Sequence, residues 1–114
     1  MKKWEMIAEL GWGTKSTDYK KLGKKLKMLH PDKTEQVKTF VHAKQKMLMK
    51  KLDEFADRNG DKRKYWKMGD DSFSDLTAHI VGLGREKYYE VTKNPIIAKT
   101  VKYKESFLYV FHYC

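Results

Sequence analysis

An all-α fold, a compact single-domain bundle of about five helices over residues 1–114, is what this sequence predicts. Three observations carry the reading. Apolar residues recur at three- and four-residue spacing in successive segments, glycine, proline and asparagine punctuate the gaps, and 114 residues suit one modest core. At 40% hydrophobic and 35% charged the composition is globular, because enough apolar side chains are present to offset chain entropy.

Taken in order, Trp4, Ile7, Ala8 and Leu10 mark a first helix that stops at Gly11-Trp12-Gly13. Ser16 or Thr17 is positioned to cap a second helix with an apolar face of Tyr19, Leu22, Leu26 and Leu29, ended by Pro31. Asp32 followed by Glu35 reads as a capping-box variant opening the longest pattern, Val37, Phe40, Val41, Met47, Leu48, Leu52 and Phe55, which should run to about Asp57. Asn59-Gly60-Asp61 breaks it, and the basic linker 62–64 leads to Tyr65-Trp66. Ser72 is the expected cap of the next helix, with Phe73, Leu76, Ile80 and Leu83 as its buried stripe and Gly84 as its end. Residues 86–93 add a short helix closed by Asn94-Pro95, and Ile96, Ile97 and Val101 begin the final element. Residues 105–113 have strong β-propensity, but one strand with nothing to pair with is unstable, so helix is favoured there.

Charge is the strongest physical signal. Lysine plus arginine number 25 against 15 acids, a formal charge of +10, and such a field attracts nucleic acid, nucleotides, anionic lipid and acidic proteins without choosing among them. Eleven lysines stand in residues 20–51 against Asp32 and Glu35 alone. Lys20, Lys24 and Lys27 share one side of the second helix, as do Lys21 and Lys25, so its polar face is nearly all cationic. Lysine supplies point charges suited to phosphate, whereas arginine, the better base reader, is confined to Arg58, Arg63 and Arg85.

The residues argue against several chemistries. His30, His42, His79 and His112 lack the four-residue pairing of helical metal ligands, so neither a metal nor another cofactor is expected. Gly11-Trp12-Gly13 and Gly82-Leu83-Gly84 do not extend into nucleotide-binding fingerprints and read as turn and packing positions. No Gly-x-Ser-x-Gly elbow exists, and the lone cysteine, Cys114, has no recognisable base and no partner for an internal disulfide. Asp70, Asp71 and Asp75 cluster, a pattern better explained by stabilisation of a helix start than by a cation site. No apolar run reaches a membrane span of about 20 residues, and no secretory h-region follows Met1, so a cytoplasmic protein is expected.

Two families are resembled. Leu10-Gly11, Tyr19-Lys20-Lys21-Leu22 and His30-Pro31-Asp32-Lys33 resemble a J-domain over about residues 8–55, which implies contact of the tripeptide with an Hsp70 partner. A longer resemblance rests on Asp70-Asp71-Ser72-Phe73-Ser74-Asp75-Leu76, Ile80, Gly84-Arg85-Glu86-Lys87-Tyr88-Tyr89-Glu90 and Asn94-Pro95, with Trp4 and Ile7 upstream. It is to small helical bacterial domains of unknown function, sometimes found near WGR modules. That resemblance is preferred; it implies the fold, leaves activity open, and makes residues 30–32 a helix connection. Asp70, Asp71, Arg85 and Glu86 are its matched polar positions, read as a buried network or a ligand site.

The functional expectation is therefore a non-enzymatic binding protein. A basic surface of Lys20, Lys21, Lys24, Lys25 and Lys27, with Arg85 and the aromatics Tyr88, Tyr65 and Trp66, would capture an anionic ligand. Nucleic acid stacking on those rings is one form; a nucleotide-derived signal held between helices, or between copies of the chain, is another. Small size and charge also fit a phage or mobile-element anti-defence protein. A protein-binding inhibitor or co-chaperone, and an unrecognised enzyme, are the alternatives.

Overall fold

Helical periodicity becomes burial directly in the first element. The structure, a computed structural model, describes residues 2–12, 18–60, 65–103 and 107–113. Helix α1 (Lys2–Leu10) buries Trp4, Met6, Ile7 and Leu10, while Ala8 faces outward. Gly11 then turns the chain at φ 69°, and Trp12 plunges into the core at 2% exposure.

Helix α2 (Tyr19–Leu29) is capped by Asp18, whose carboxylate accepts from the backbone N–H groups of Lys20 and Lys21. The side-chain cap is thus Asp18, which immediately precedes the first helical residue; Ser16 and Thr17 lie outside the described residues. Its buried arc is narrow, Leu22, Gly23 and Leu26, and Leu29 on the last turn is 45% exposed rather than buried.

Helix α3 (Thr34–Arg58) spans 25 residues, about 37 Å at 1.5 Å per residue, in a molecule 45 Å along its longest axis. Val37, Val41, Gln45, Leu48, Leu52 and Ala56 form its buried stripe, with Phe40 and Phe55 half-buried beside it. Met47, one position off that stripe, is 55% exposed instead of buried. The expected Asp32 cap does not form: residues 31–33 make a turn, and Lys33 occupies the cap position without a side-chain bond.

Helix α4 (Asp70–Gly82) begins on Gly69, so Ser72 lies inside the helix rather than capping it. Leu76 and Ile80 are fully buried, Phe73 and Leu83 half-buried, and every residue from Leu76 to Gly82 is covered. That is a wider face than one stripe, and it makes the second half of α4 the centre of the domain. Gly84, at φ 111°, makes the sharp turn into α5 (Arg85–Lys93), which buries Tyr88 and Val91 and stops at Asn94.

Two 3₁₀ segments follow, η1 (Pro95–Thr100) and η2 (Phe107–Tyr113). The fold is all-α, with seven helical elements among the described residues where about five were expected; the surplus is 3₁₀ helix. Residues 107–113 are helical despite their β-propensity, since no strand lies among the described residues to pair with them.

Glycines let η2 dock. A Cβ on Gly23 would overlap the Val110 carbonyl oxygen and stand 2.7 Å from Tyr113 Cβ; one on Gly82 would stand 2.7 Å from both the Phe107 ring and Trp12 Cδ1. In an exposed helix Gly→Ala stabilises by about 1 kcal/mol. Here overpacking should dominate, so Gly82→Ala and Gly23→Ala should each destabilise by about 1–3 kcal/mol in urea unfolding. A gain in stability from either would show that η2 does not pack against these helices.

Candidate functional site

Three interior polar contacts among the described residues tie distant elements together. Trp12 Nε1 donates to His79 Nδ1 at 3.0 Å across 67 residues of sequence. The accepting Nδ1 must carry no proton, so His79 is neutral, and burial pushes its pKa below the ordinary value of 6.5. Gln45 Nε2 lies within hydrogen-bond distance of Ser74 O, Ser74 Oγ and Thr77 Oγ1, forming a polar seam between α3 and α4. Trp66 Nε1 donates to Leu52 O at 3.2 Å, which anchors the segment following the long helix.

The lysines of α2 divide into two groups. Lys25 Nζ donates to Glu9 O at 2.8 Å, and His30 Nε2 lies 2.8 Å from the Glu9 carboxylate, so α2 clamps the end of α1 twice through one residue. Lys25 therefore satisfies a carbonyl at a helix C-terminus. Lys20, Lys21, Lys24 and Lys27 stand exposed, with no ion pair among the described residues.

An aromatic group that sequence reading did not single out lies beside them. Tyr19 stacks on Tyr113 at 5.6 Å and 29° and meets Tyr109 edge-on at 5.5 Å. Tyr109 and Tyr113 are 44% and 39% exposed. Because Tyr113 packs on Gly23, Lys20 and Lys27, three positions before and four after that glycine, flank the tyrosines on the helix surface. The signal was obscured because Tyr19 reads as core spacing and residues 107–113 as β-former.

The aromatics named from sequence are placed differently. Trp66 and Tyr88 are buried, at 6% and 2% exposure, and offer no free ring face. Tyr65 is half-buried, with Lys99 Nζ 3.8 Å from its ring centroid. Burial, followed by the neighbouring Tyr89, raises the Tyr88 pKa.

The four matched polar residues do not form one cluster. Asp70 and Asp71 are exposed at the start of α4, while Arg85 and Glu86 open α5 beyond its other end, about 18 Å of helix away. Asp75, half-buried, has its pKa raised by burial and by the Asp71 charge. Among the described residues no three metal-ligating side chains come together, and no helix is long and apolar enough to cross a membrane. Cys114 lies outside the described residues.

Two grooves meet at Tyr89. One, between α1 and the start of α5, is broad and of mixed charge, lined by Glu5, Arg85, Glu86 and Lys93 over Trp4. Its Trp4 Nε1 is the buried side-chain donor without a partner among the described residues. The other, between α3 and α5, encloses about 350 Å³ and is lined by Lys44, Met47, Lys50, Lys51 and Glu54 opposite Tyr89.

Fold and surface together define a basic all-α domain with exposed cationic and aromatic patches. Comparison with family models, curated proteins and solved structures finds no match.

The buried His79 makes stability pH-dependent. Below about pH 6.5 the unfolded chain binds a proton that folded His79 refuses, so the stability its neutral form contributes is complete above that pH. It is lost as pH falls toward the depressed folded value. Thermal unfolding should show a lower midpoint at pH 5 than at pH 7.5, and His79→Gln should flatten that difference while lowering stability at pH 7.5. An unchanged pH slope in the variant would remove His79 from this role.

Proposed function

We propose that this protein binds single-stranded nucleic acid, non-enzymatically, through the outer face of α2 and the tyrosines of η2. The observation that carries the reading is that Tyr113 packs on Gly23 of α2, whose surface neighbours Lys20 and Lys27 are exposed, as is Lys24 on the same helix side, while Tyr109 joins the group through Tyr19. Lysines without carboxylate partners repel one another until an anion arrives, and phosphate is the anion that recurs at the spacing of a chain. Rings beside a cationic track add base stacking, which is sequence-tolerant because every base has a π-face. A double helix shields its bases, so the tyrosines favour the single strand.

Affinity for a fluorescent oligonucleotide, measured over a salt series, tests this. The triple variant Lys20→Glu, Lys24→Glu, Lys27→Glu should fold, since Leu22, Gly23 and Leu26 are untouched, and lose most binding. A control reversing Lys33, Lys46 and Lys102, all exposed, carries the same charge change and should lose far less. Neutral Lys→Gln versions of the triple should lower the slope of log affinity against log salt by about two, at roughly 0.7 per contact on a single strand. Tyr109→Ser should weaken binding by about 1–3 kcal/mol and leave the salt slope alone. Equal losses in the two triple-Glu variants would reduce the α2 face to ordinary solvated surface.

A further inference from the structure

We infer that the groove between α3 and α5 is a second, separate site, built for a small phosphorylated aromatic molecule of the nucleotide class. No residue of α2 lines it, so it stands apart from the nucleic-acid face.

The sequence of α3 explains its chemistry. Met47 sits one position off the buried stripe, is 55% exposed and lines the groove, so its thioether is open to whatever enters. Its neighbours on the helix surface, three before and three and four after, are Lys44, Lys50 and Lys51. A thioether ringed by three ammonium groups is an apolar spot inside a cationic collar. Across the groove stands Tyr89, 38% exposed, its ring braced edge-on by buried Tyr88 at 5.1 Å and 87°. Met47 and Tyr89 are thus two apolar walls of an opening of about 350 Å³, within the range of ~300–1,000 Å³ that holds small ligands. A flat heteroaromatic ring suits the space between a polarisable thioether and an aromatic face.

The collar orients the phosphate. Lys44 is half-buried, its Nζ held 5.5 Å from the Phe40 ring and 5.7 Å from the Tyr88 ring, with no carboxylate partner among the described residues. Cation–π contacts position that ammonium without neutralising it. Glu54 lines the groove ten residues further along α3, about 15 Å away along the axis. Repulsion from Glu54 directs the phosphate to the Lys44 end and leaves the carboxylate to accept hydrogen bonds from sugar hydroxyls or an exocyclic amine. A bare phosphate would use the lysines and leave Met47 and Tyr89 uncovered; a neutral nucleoside would do the reverse. The site therefore selects molecules carrying both parts.

Isothermal titration with the four common nucleoside 5′-monophosphates, adenosine, ribose 5-phosphate and pyrophosphate tests this on the full chain. At least one monophosphate should bind saturably, with ribose 5-phosphate and the tested nucleoside each weaker by about tenfold or more. Lys44→Gln should cost the monophosphate about tenfold, and Met47→Asp should abolish binding, each with the circular dichroism of the wild type. Lys51→Gln, at an exposed lysine of the groove lining, is a second probe should Lys44→Gln perturb folding. The α2 triple-Glu variant should bind the monophosphate within about twofold of wild type, which separates this site from the nucleic-acid face. No saturation by any monophosphate up to roughly 10 mM, equal affinity for ribose 5-phosphate, or unchanged affinity in both lysine variants would overturn the assignment.

Discussion

The interior hydrogen bond from the Trp12 indole to His79 sits where three distant parts of the chain meet. Trp12 follows α1, His79 lies in the buried half of α4, and Phe107 opens η2 with its ring centroid 5.2 Å from that of Trp12. Gly82, one turn beyond His79 on α4, lets both rings approach the helix backbone. The bond itself is worth about 1 kcal/mol net, but losing the acceptor would strand a buried indole N–H at a cost of about 1–3 kcal/mol. Its geometry admits only neutral histidine, and so one titratable group ties the segment after α1 to the central helix, with Phe107 packed on the same indole.

That junction shapes the surface. With η2 seated over Gly23, α2 buries Leu22, Gly23 and Leu26 and half-buries Tyr19 and Lys25. Lys20, Lys21, Lys24 and Lys27 are left to solvent, with Met28 and Leu29 on the last turn. The same docking carries Tyr109 and Tyr113 to the flank of α2, where their rings pack against Tyr19 and stay partly exposed. Cationic and aromatic groups from opposite ends of the chain become neighbours because a glycine permits close helix contact. Lys25 shows the opposite outcome, a lysine of the same helix drawn into holding the end of α1.

The two sides of α5 differ in a related way. Trp4 packs its ring against Phe40 at 5.1 Å and Tyr88 at 5.3 Å, and that apolar contact offsets an indole N–H with no partner among the described residues. Lys44 Nζ also lies near Phe40 and Tyr88, so the same two rings contact both the core tryptophan and an ammonium. Tyr89 stands between the grooves and is the aromatic of α5 that solvent reaches.

Local sequence determined the helices because their cause is local. Spacing at Leu48 and Leu52, at Leu76 and Ile80, and the breaks at Gly60, Gly84 and Asn94-Pro95 act within a turn or two of chain, and each corresponds to an element or boundary in the fold. The cationic character of α2 was legible for the same reason, since residues three and four apart share a helix side whatever the rest of the chain does. Boundaries governed by competing caps were less legible: Asp18 rather than Ser16 or Thr17, and Gly69 rather than Ser72. What tertiary structure alone decided was the fate of residues whose neighbours are distant. Trp66 and Tyr88 became core, Met47 and Leu29 became surface, and Tyr19 acquired Tyr109 and Tyr113. His79 became a neutral acceptor because Trp12 reached it across 67 residues. Helical periodicity reports which side of an element is apolar, but exposure, pairing and protonation depend on what the rest of the chain packs against that side.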